Sequence, residues 1–149
     1  MSCEDETAEL LRRAGHKMTP QRLMIVRALR HAEGHMSAAQ IAEHVREDYP
    51  FVDVSTVYRT LDVLKRMRLA TSTDMGSGDV VFEWAPEQPH HHLICTSCGD
   101  VAELGHGYLE GIEGRITEDF GFAPDLHHFA IFGLCRECQI AETTDAETP

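Results

Sequence analysis

Two Cys-x-x-Cys pairs carry the strongest chemical signal in this chain of 149 residues. Cys95 pairs with Cys98 and Cys135 pairs with Cys138, and 36 residues lie between the two pairs. Four thiolates can bind one tetrahedral zinc ion, and Gly99 permits the tight turn that brings two sulfur atoms onto the same ion. A redox-active dithiol is the alternative interpretation, but such a site needs only one pair. The spacing therefore predicts a structural zinc ion that joins the two ends of a subdomain.

Three consecutive histidines, His90 to His92, precede the first pair in a segment that we predict as a β-strand. Because side chains alternate between the faces of a strand, His90 and His92 share one face and His91 lies on the other. Residues 101–104 are predicted as the returning strand, which would bring Glu103 beside the His90–His92 pair. Imidazole and carboxylate ligands together bind Fe(II), Mn(II), Zn(II), Ni(II) or Co(II). The segment is a candidate second metal site, and a polar loop without a ligand is the alternative.

Helices that could contact DNA are predicted N-terminal to the histidine and cysteine segments. Thr19-Pro20 is typical of a helix start, and Ser37 with Gln40 forms a capping-box pattern. Two short strands joined by a glycine-containing turn follow the last helix. Three helices followed by a hairpin are typical of a winged helix. The predicted segments are helices over 4–14, 19–32, 37–49 and 53–68 and strands over 69–73 and 80–83.

The helix over 53–68 has two distinct faces. Its apolar residues recur at helical spacing and form one stripe for burial: Val54, Val57, Leu61 and Leu64. The opposite face carries Ser55 and Arg59, and it is flanked by Thr56 and Tyr58. Hydroxyl, aromatic and guanidinium groups near the N-terminal end of a helix suit the major groove of DNA. A solvated helix face without a partner is the alternative.

Charge is divided unevenly along the chain. Residues 1–74 contain 11 Lys and Arg against 11 Asp and Glu, whereas residues 75–149 contain 2 against 14. The whole net charge of −12 therefore lies in the C-terminal half, and the N-terminal half keeps cations for contact with phosphates. We predict an α+β fold in three parts: a winged-helix DNA-binding domain over 1–84, an α/β metal-binding dimerisation domain with the four-cysteine zinc site over 85–140, and a disordered acidic tail over 141–149.

Apolar surface in the second of these domains favours pairing with another copy of the chain. A helix is predicted over 108–120 and an apolar strand over 129–134. One stripe of the helix consists of Leu109, Ile112, Ile116 and Phe120. A small domain with such a strand would gain from burying it against its twin.

Several classes of protein are disfavoured by features that the sequence lacks. No apolar run reaches the roughly 18 residues of a membrane-spanning helix, and residues 1–9 lack the pattern of a signal peptide. We therefore expect a cytoplasmic protein with reduced cysteines and no membrane partner. The sequence contains neither a nucleophile motif nor a phosphate-binding loop, so we predict neither an enzyme nor a small-molecule substrate.

The amino-acid sequences of the helical segments resemble those of one family of regulators. The run from Ser55 to Leu61, Ser-Thr-Val-Tyr-Arg-Thr-Leu, resembles the recognition-helix signature of the ferric uptake regulator family, and the segments 18–22 and 35–39 resemble its second and third helix openings. The resemblance extends from about residue 10 to residue 138. It implies a homodimer that binds a double-stranded, inverted-repeat operator. With the helix face described above, it predicts these DNA-contacting residues: Lys17, Arg22, Ser55, Thr56, Tyr58 and Arg59.

The same resemblance implies two sets of metal ligands besides the cysteines. The regulatory set falls on His35, Glu83, His90, His92 and Glu103. An accessory set falls on His91, Glu110 and His127, although the family often has Asp at the first of these positions. His128 alternates to the opposite face from its neighbour and is the weaker candidate for that accessory site.

The signal implied by the resemblance is Fe(II). Glu103 stands where peroxide-sensing relatives carry Asp, and the cysteine that zinc-sensing relatives often recruit is missing unless Cys3 supplies it. We therefore predict an iron-responsive repressor, with zinc, manganese or nickel as alternative signals and peroxide as a weaker one. Two alternatives from other classes are a metal-dependent hydrolase with Glu103 or Glu83 as base, and a zinc-binding interaction module that does not bind DNA.

Overall fold

A computed structural model of the protein describes residues 3–76, 78–85 and 88–146. These residues form six α-helices and two three-stranded sheets, which confirms the predicted α+β class. They divide into two compact units. The N-terminal unit holds the described residues of Met1–Ser72 and Asp79–Ala85, and the C-terminal unit holds those of Thr73–Gly78 and Pro86–Pro149. None of the described helices is long and apolar enough to cross a bilayer.

The first half of the chain folds as helices followed by a hairpin. The elements in chain order are α1 (Cys3–Arg13), α2 (Pro20–Arg30), β1 (Met36–Ser37), α3 (Ala38–Arg46), α4 (Val54–Arg66), β2 (Ala70–Asp74) and β3 (Val80–Trp84). The first sheet has the order β1-β3-β2, and β1 runs antiparallel to β3 with Met36 opposite Phe82. This is a winged-helix arrangement, with β2 and β3 as the wing.

Local hydrogen bonds explain where the helices begin. The Thr19 hydroxyl accepts the Arg22 N–H at 3.2 Å at the start of α2. Ser37 and Gln40 form the predicted capping box, each side chain accepting from the other's backbone N–H at the start of α3. Asp53 accepts the Thr56 N–H at 2.8 Å and so starts α4. Each cap satisfies a backbone donor that would otherwise lack a partner within the helix.

The hydrophobic core of the N-terminal unit fixes the orientation of α4. Its predicted stripe is buried, with Val57, Leu61 and Leu64 all inaccessible to solvent, and it packs into a cluster with Ile25 and Ile41. Burying a side chain of this size typically contributes about 1.5–3 kcal/mol. The opposite face of α4 must therefore point outward.

The C-terminal unit is built on the second sheet. Its elements are β4 (His90–Cys95), β5 (Val101–Gly105), a short 3₁₀ helix (His106–Leu109), α5 (Ile112–Phe120), β6 (Ala130–Gly133) and α6 (Arg136–Ala146). β4 lies in the middle, antiparallel to β5 and parallel to β6. Its residue His92 is opposite Glu103 on one side and Ala130 on the other.

Two sequence predictions for this unit are wrong. The helix expected over 108–120 is interrupted at Gly111, whose φ of 82° lies in the left-handed region that ends one helical segment before α5 begins. The tail expected to be disordered over 141–149 is helical as far as Ala146. Once α6 has started, each further residue adds a hydrogen bond at little entropic cost, and the Thr144 hydroxyl also donates to the Ile140 carbonyl at 2.8 Å. Residues 147–149 lie outside the described residues.

Candidate functional site

The four paired cysteines converge at one end of the second sheet. Cys95 ends β4, Cys98 follows in the adjoining turn, and Cys135 and Cys138 lie at the start of α6. Their four sulfur atoms lie within 4.8 Å of one another, and the Sγ atoms of Cys98 and Cys135 are 3.8 Å apart. Two thiolates bound at about 2.3 Å to a tetrahedral zinc ion are also about 3.8 Å apart. The cluster therefore fits the predicted structural zinc site.

Backbone donors around Cys95 favour the thiolate that a metal requires. The Cys135 N–H donates to Cys95 Sγ at 3.3 Å. This hydrogen bond, followed by one from the Cys98 backbone, lowers the pKa of Cys95 from 9.0 to about 6. A thiol that ionises near neutral pH is prepared to bind a cation.

A cluster of three histidines lies elsewhere in the C-terminal unit. His90 and His92 share a face of β4 as predicted, with ring centroids 5.0 Å apart. His128, which precedes β6, joins them: its Nε2 lies 2.9 Å from His92 Nε2. One ring nitrogen from each residue lies within 4.8 Å of the others. The sequence predicts the first two members of this cluster, but it does not predict the third.

Glu103 lies beside this cluster without joining it. The register places it directly opposite His92, as the predicted returning strand requires. Its side chain is exposed, and its carboxylate does not belong to the group of ligand atoms that converge. Of the predicted regulatory ligands in this unit, His90 and His92 therefore converge, and Glu103 does not join them.

Two further predicted ligands lie together in the N-terminal unit. His35 Nε2 is 3.3 Å from a carboxylate oxygen of Glu83. The pairing of β1 with β3 explains this contact, because Met36 lies opposite Phe82 and the next pair outward is His35 and Glu83. The Thr71 hydroxyl also donates to the Glu83 carboxylate at 3.3 Å and helps to hold it in place. The short strand β1 therefore creates an imidazole–carboxylate pair.

The predicted accessory set does not assemble. His91 is fully buried, and its Nε2 lies 3.0 Å from Nδ1 of His106 instead of meeting the predicted partners. Glu110 and His127 are exposed and belong to no group of converging ligands among the described residues. Burial, followed by the charge of the neighbouring His106, lowers the pKa of His91 below its usual 6.5. His91 is thus a buried imidazole that packs against Phe129.

The outward face of α4 carries the predicted DNA-contacting residues. Ser55, Tyr58 and Arg59 are exposed, and Tyr58 is 48% accessible while its ring edge contacts Phe82 of the wing. The Arg59 guanidinium donates to the hydroxyls of Ser55 at 3.2 Å and Thr56 at 3.4 Å. These donors and acceptors lie on one turn of a rigid helix.

A surface depression connects this face with the start of α2. It is lined by four of the six predicted residues, Lys17, Arg22, Thr56 and Arg59, together with their neighbours. A hydrogen bond holds the Arg22 side chain in place: its guanidinium donates to the Lys17 carbonyl at 2.8 Å. Three cations beside backbone and hydroxyl donors match the groups that contact DNA phosphates.

Comparison with known proteins decides the family. The pattern described as "Ferric uptake regulator family" matches residues 13–132, which is most of the chain. The chain belongs to the ferric uptake regulator family. This confirms the resemblance of its helical segments.

Several relatives match this chain along most of their own length. The ferric uptake regulation protein of Bacillus subtilis is 34% identical over 143 residues, which cover 93% of this chain and 96% of the relative. The peroxide-responsive repressor PerR of Staphylococcus aureus is 31% identical over 135 residues, covering 91% and 90%. The solved structure of the ferric uptake regulator of Pseudomonas aeruginosa with manganese has a TM-score of 0.70 and 29% identity, covering 91% and 99%.

Membership in the ferric uptake regulator family fixes the general activity. The chain is a metal-responsive, DNA-binding transcription regulator and not an enzyme, as predicted. The hydrolase alternative and the interaction module without DNA are thereby wrong.

Proposed function

We propose that this regulator is a cytoplasmic repressor that binds an inverted-repeat operator as a homodimer when a regulatory ion occupies its histidine and carboxylate ligands. The observation that carries the proposal is the convergence of predicted ligands within each unit, at His35 with Glu83 and at His90 with His92. We propose that these four residues bind the ion. We propose Glu103, which lies opposite His92 in the sheet, as a fifth ligand at the exposed side of the site. A bound ion supplies positive charge and fixed geometry, and it stabilises the conformation that binds DNA.

Two candidates for the sensed ion have separate support. Fe(II) is favoured by Glu103, which stands where peroxide-sensing relatives carry Asp. Zn(II) is favoured by the clustered imidazoles, because nitrogen ligands suit zinc better than they suit iron or manganese. The manganese in the Pseudomonas aeruginosa structure supports a divalent transition metal in either case.

We propose that the four cysteines bind a structural Zn(II) ion, one per chain. Their sulfur spacing fits a tetrahedral ion, and the Cys135 N–H stabilises a thiolate at Cys95. Such a closed set of four thiolates leaves no position for a substrate, so the ion would have a structural and not a catalytic role.

A homodimer is supported by apolar side chains that the C-terminal unit leaves exposed. Tyr108 is 81% accessible, Phe120 79% and Phe122 62%, and Phe132 of β6 is 45% accessible. A monomeric protein rarely leaves this much large apolar surface in contact with water. Pairing with a second copy through a two-fold axis would bury it.

In the proposed complex with DNA, α4 contacts the major groove. Tyr58 and Arg59 would contact bases, since they are exposed on the outward face, and Ser55 and Thr56 would support them. The proposed phosphate contacts come from Lys17 and Arg22 at the edge of the depression.

The Arg59→Ala variant tests this interface. We expect the affinity for the chain's own promoter DNA to fall by about 5- to 150-fold, because a guanidinium contact to a base typically contributes about 1–3 kcal/mol. Fluorescence anisotropy with saturating metal measures the dissociation constant.

Arg66→Ala is the matched control, since Arg66 is an exposed arginine in the last turn of the same helix. It should bind DNA nearly as tightly as the wild type. If Arg59→Ala bound DNA as tightly as Arg66→Ala, the outward face of α4 would not be the interface.

A further inference from the structure

Parallel pairing of β4 with β6 brings His128 to the histidine pair. His92 lies opposite Ala130, and the His92 N–H donates to the Phe129 carbonyl at 3.0 Å. Two residues before this pair in each segment, the same offset brings His90 beside His128, which precedes β6. Their ring centroids are 5.2 Å apart. All of these residues belong to the C-terminal unit.

The nitrogen atoms of this cluster are spaced like ligands of one ion. Nε2 of His92 and Nε2 of His128 are 2.9 Å apart. Two nitrogens bound at about 2.1 Å and roughly a right angle to one ion are about 3.0 Å apart. The three rings meet edge to face, at interplanar angles of 90° for His90 with His92, 81° for His90 with His128 and 71° for His92 with His128. No pair of these rings stacks face to face, and one ring nitrogen from each residue lies within 4.8 Å of the others.

A buried hydroxyl holds the ring of His128 in the orientation that a ligand needs. Thr73 Oγ1 and His128 Nδ1 are hydrogen-bonded at 3.2 Å, and Thr73 is only 3% accessible. Metal-ligating histidines typically engage their second ring nitrogen in such a bond, which fixes both the tautomer and the ring plane. A proton on Nδ1 toward Thr73 leaves the lone pair of Nε2 toward His92.

We infer that His128 is a direct ligand of the regulatory ion and completes a three-imidazole face with His90 and His92. The inference rests on the proposed role of His90 and His92 and adds a residue that the family resemblance does not assign. His128 adds a third imidazole nitrogen to the proposed site, while Glu103 lies exposed beside it. The site should therefore discriminate in favour of Zn(II), Ni(II) and Co(II) over Mn(II) and Fe(II).

Metal binding to the full-length protein, with its structural zinc retained, tests the inference without DNA. Co(II) is titrated while its visible absorption bands are recorded, and Zn(II) and Mn(II) affinities are measured by competition. We expect His128→Ala to weaken Co(II) and Zn(II) binding by at least about tenfold, to weaken Mn(II) binding less, and to change the Co(II) bands. His44→Ala is the control, because this histidine is exposed on α3 and belongs to no proposed ligand set. It should bind all three ions like the wild type.

A second variant separates ligation from a merely structural role. His128→Glu keeps a ligating group but supplies oxygen, so the ratio of Co(II) to Mn(II) affinity should fall while binding persists. Loss of the structural zinc would reveal that His128→Ala has failed to fold. In that case the His128→Glu variant alone tests the inference.

The outcomes separate this inference from the function on which it rests. Unchanged Co(II) bands and an unchanged Co(II)-to-Mn(II) ratio in both His128 variants would overturn the ligand role, and the proposed regulatory site would stand. A wild-type protein that binds no ion beyond the structural zinc would overturn both.

Discussion

Replacing Cys98 with serine is expected to release the structural zinc and unfold the C-terminal unit. The hydrophobic core cluster of the described residues lies entirely in the N-terminal unit. In the C-terminal unit, the described apolar residues that are buried in the single chain are Ile94, Cys95 and Leu109. A domain with so small a core commonly depends on a metal, and the free energy of zinc binding is then folding free energy.

Metal analysis and circular dichroism measure this effect. The Cys98→Ser protein should fall from one zinc per chain to none, while the helices of the N-terminal unit keep their own melting transition. Cys3→Ser is the control, because Cys3 belongs to neither Cys-x-x-Cys pair. A Cys98→Ser protein with a full zinc complement and a native spectrum would refute the zinc assignment.

Addition of the regulatory metal is expected to raise the affinity for operator DNA by about 5- to 150-fold. This range corresponds to the roughly 1–3 kcal/mol by which effectors typically couple two sites. The coupling should disappear in His90→Ala, since that variant removes one proposed ligand from the cluster of the C-terminal unit. It should persist in His44→Ala, whose side chain is exposed on α3 and belongs to no proposed ligand set.

Anisotropy titrations with Mn(II), as an air-stable substitute for Fe(II), and with Zn(II) measure the coupling. The more effective ion identifies the signal, and the iron result is then checked with Fe(II) in the absence of oxygen. Identical DNA affinity with and without either metal, in protein that retains its structural zinc, would contradict a metal-gated regulator.

The parts of the fold that depend on neighbouring residues could be predicted from the sequence. The caps at Thr19, Ser37 and Asp53 use side chains three residues from the N–H groups that they accept, so the sequence shows them directly. The buried stripe of α4 depends on helical spacing alone. The alternation of a strand likewise separates His91 from His90 and His92 without any tertiary information.

The parts that depend on distant strands could not be predicted in the same way. The parallel pairing of β4 with β6 joins segments far apart in the chain, and without it His128 has no visible connection to His90. β1 has two residues, too few for any pattern, yet its pairing with β3 accounts for the contact between His35 and Glu83. For the accessory set, the sequence could not show that His91 would be buried against His106.

The position of the cysteine cluster would also let it fix the register between β4 and β6. Cys95 ends β4 opposite Gly133, the last residue of β6, and Cys135 follows two residues later. A zinc ion bound by these sulfur atoms would prevent β6 from sliding along β4. A slip of one residue would turn His128 to the other face of the sheet and leave His90 and His92 without it. The four cysteines would thereby preserve the histidine cluster as well as the fold, so Cys98→Ser should lose regulatory metal binding together with its structural zinc.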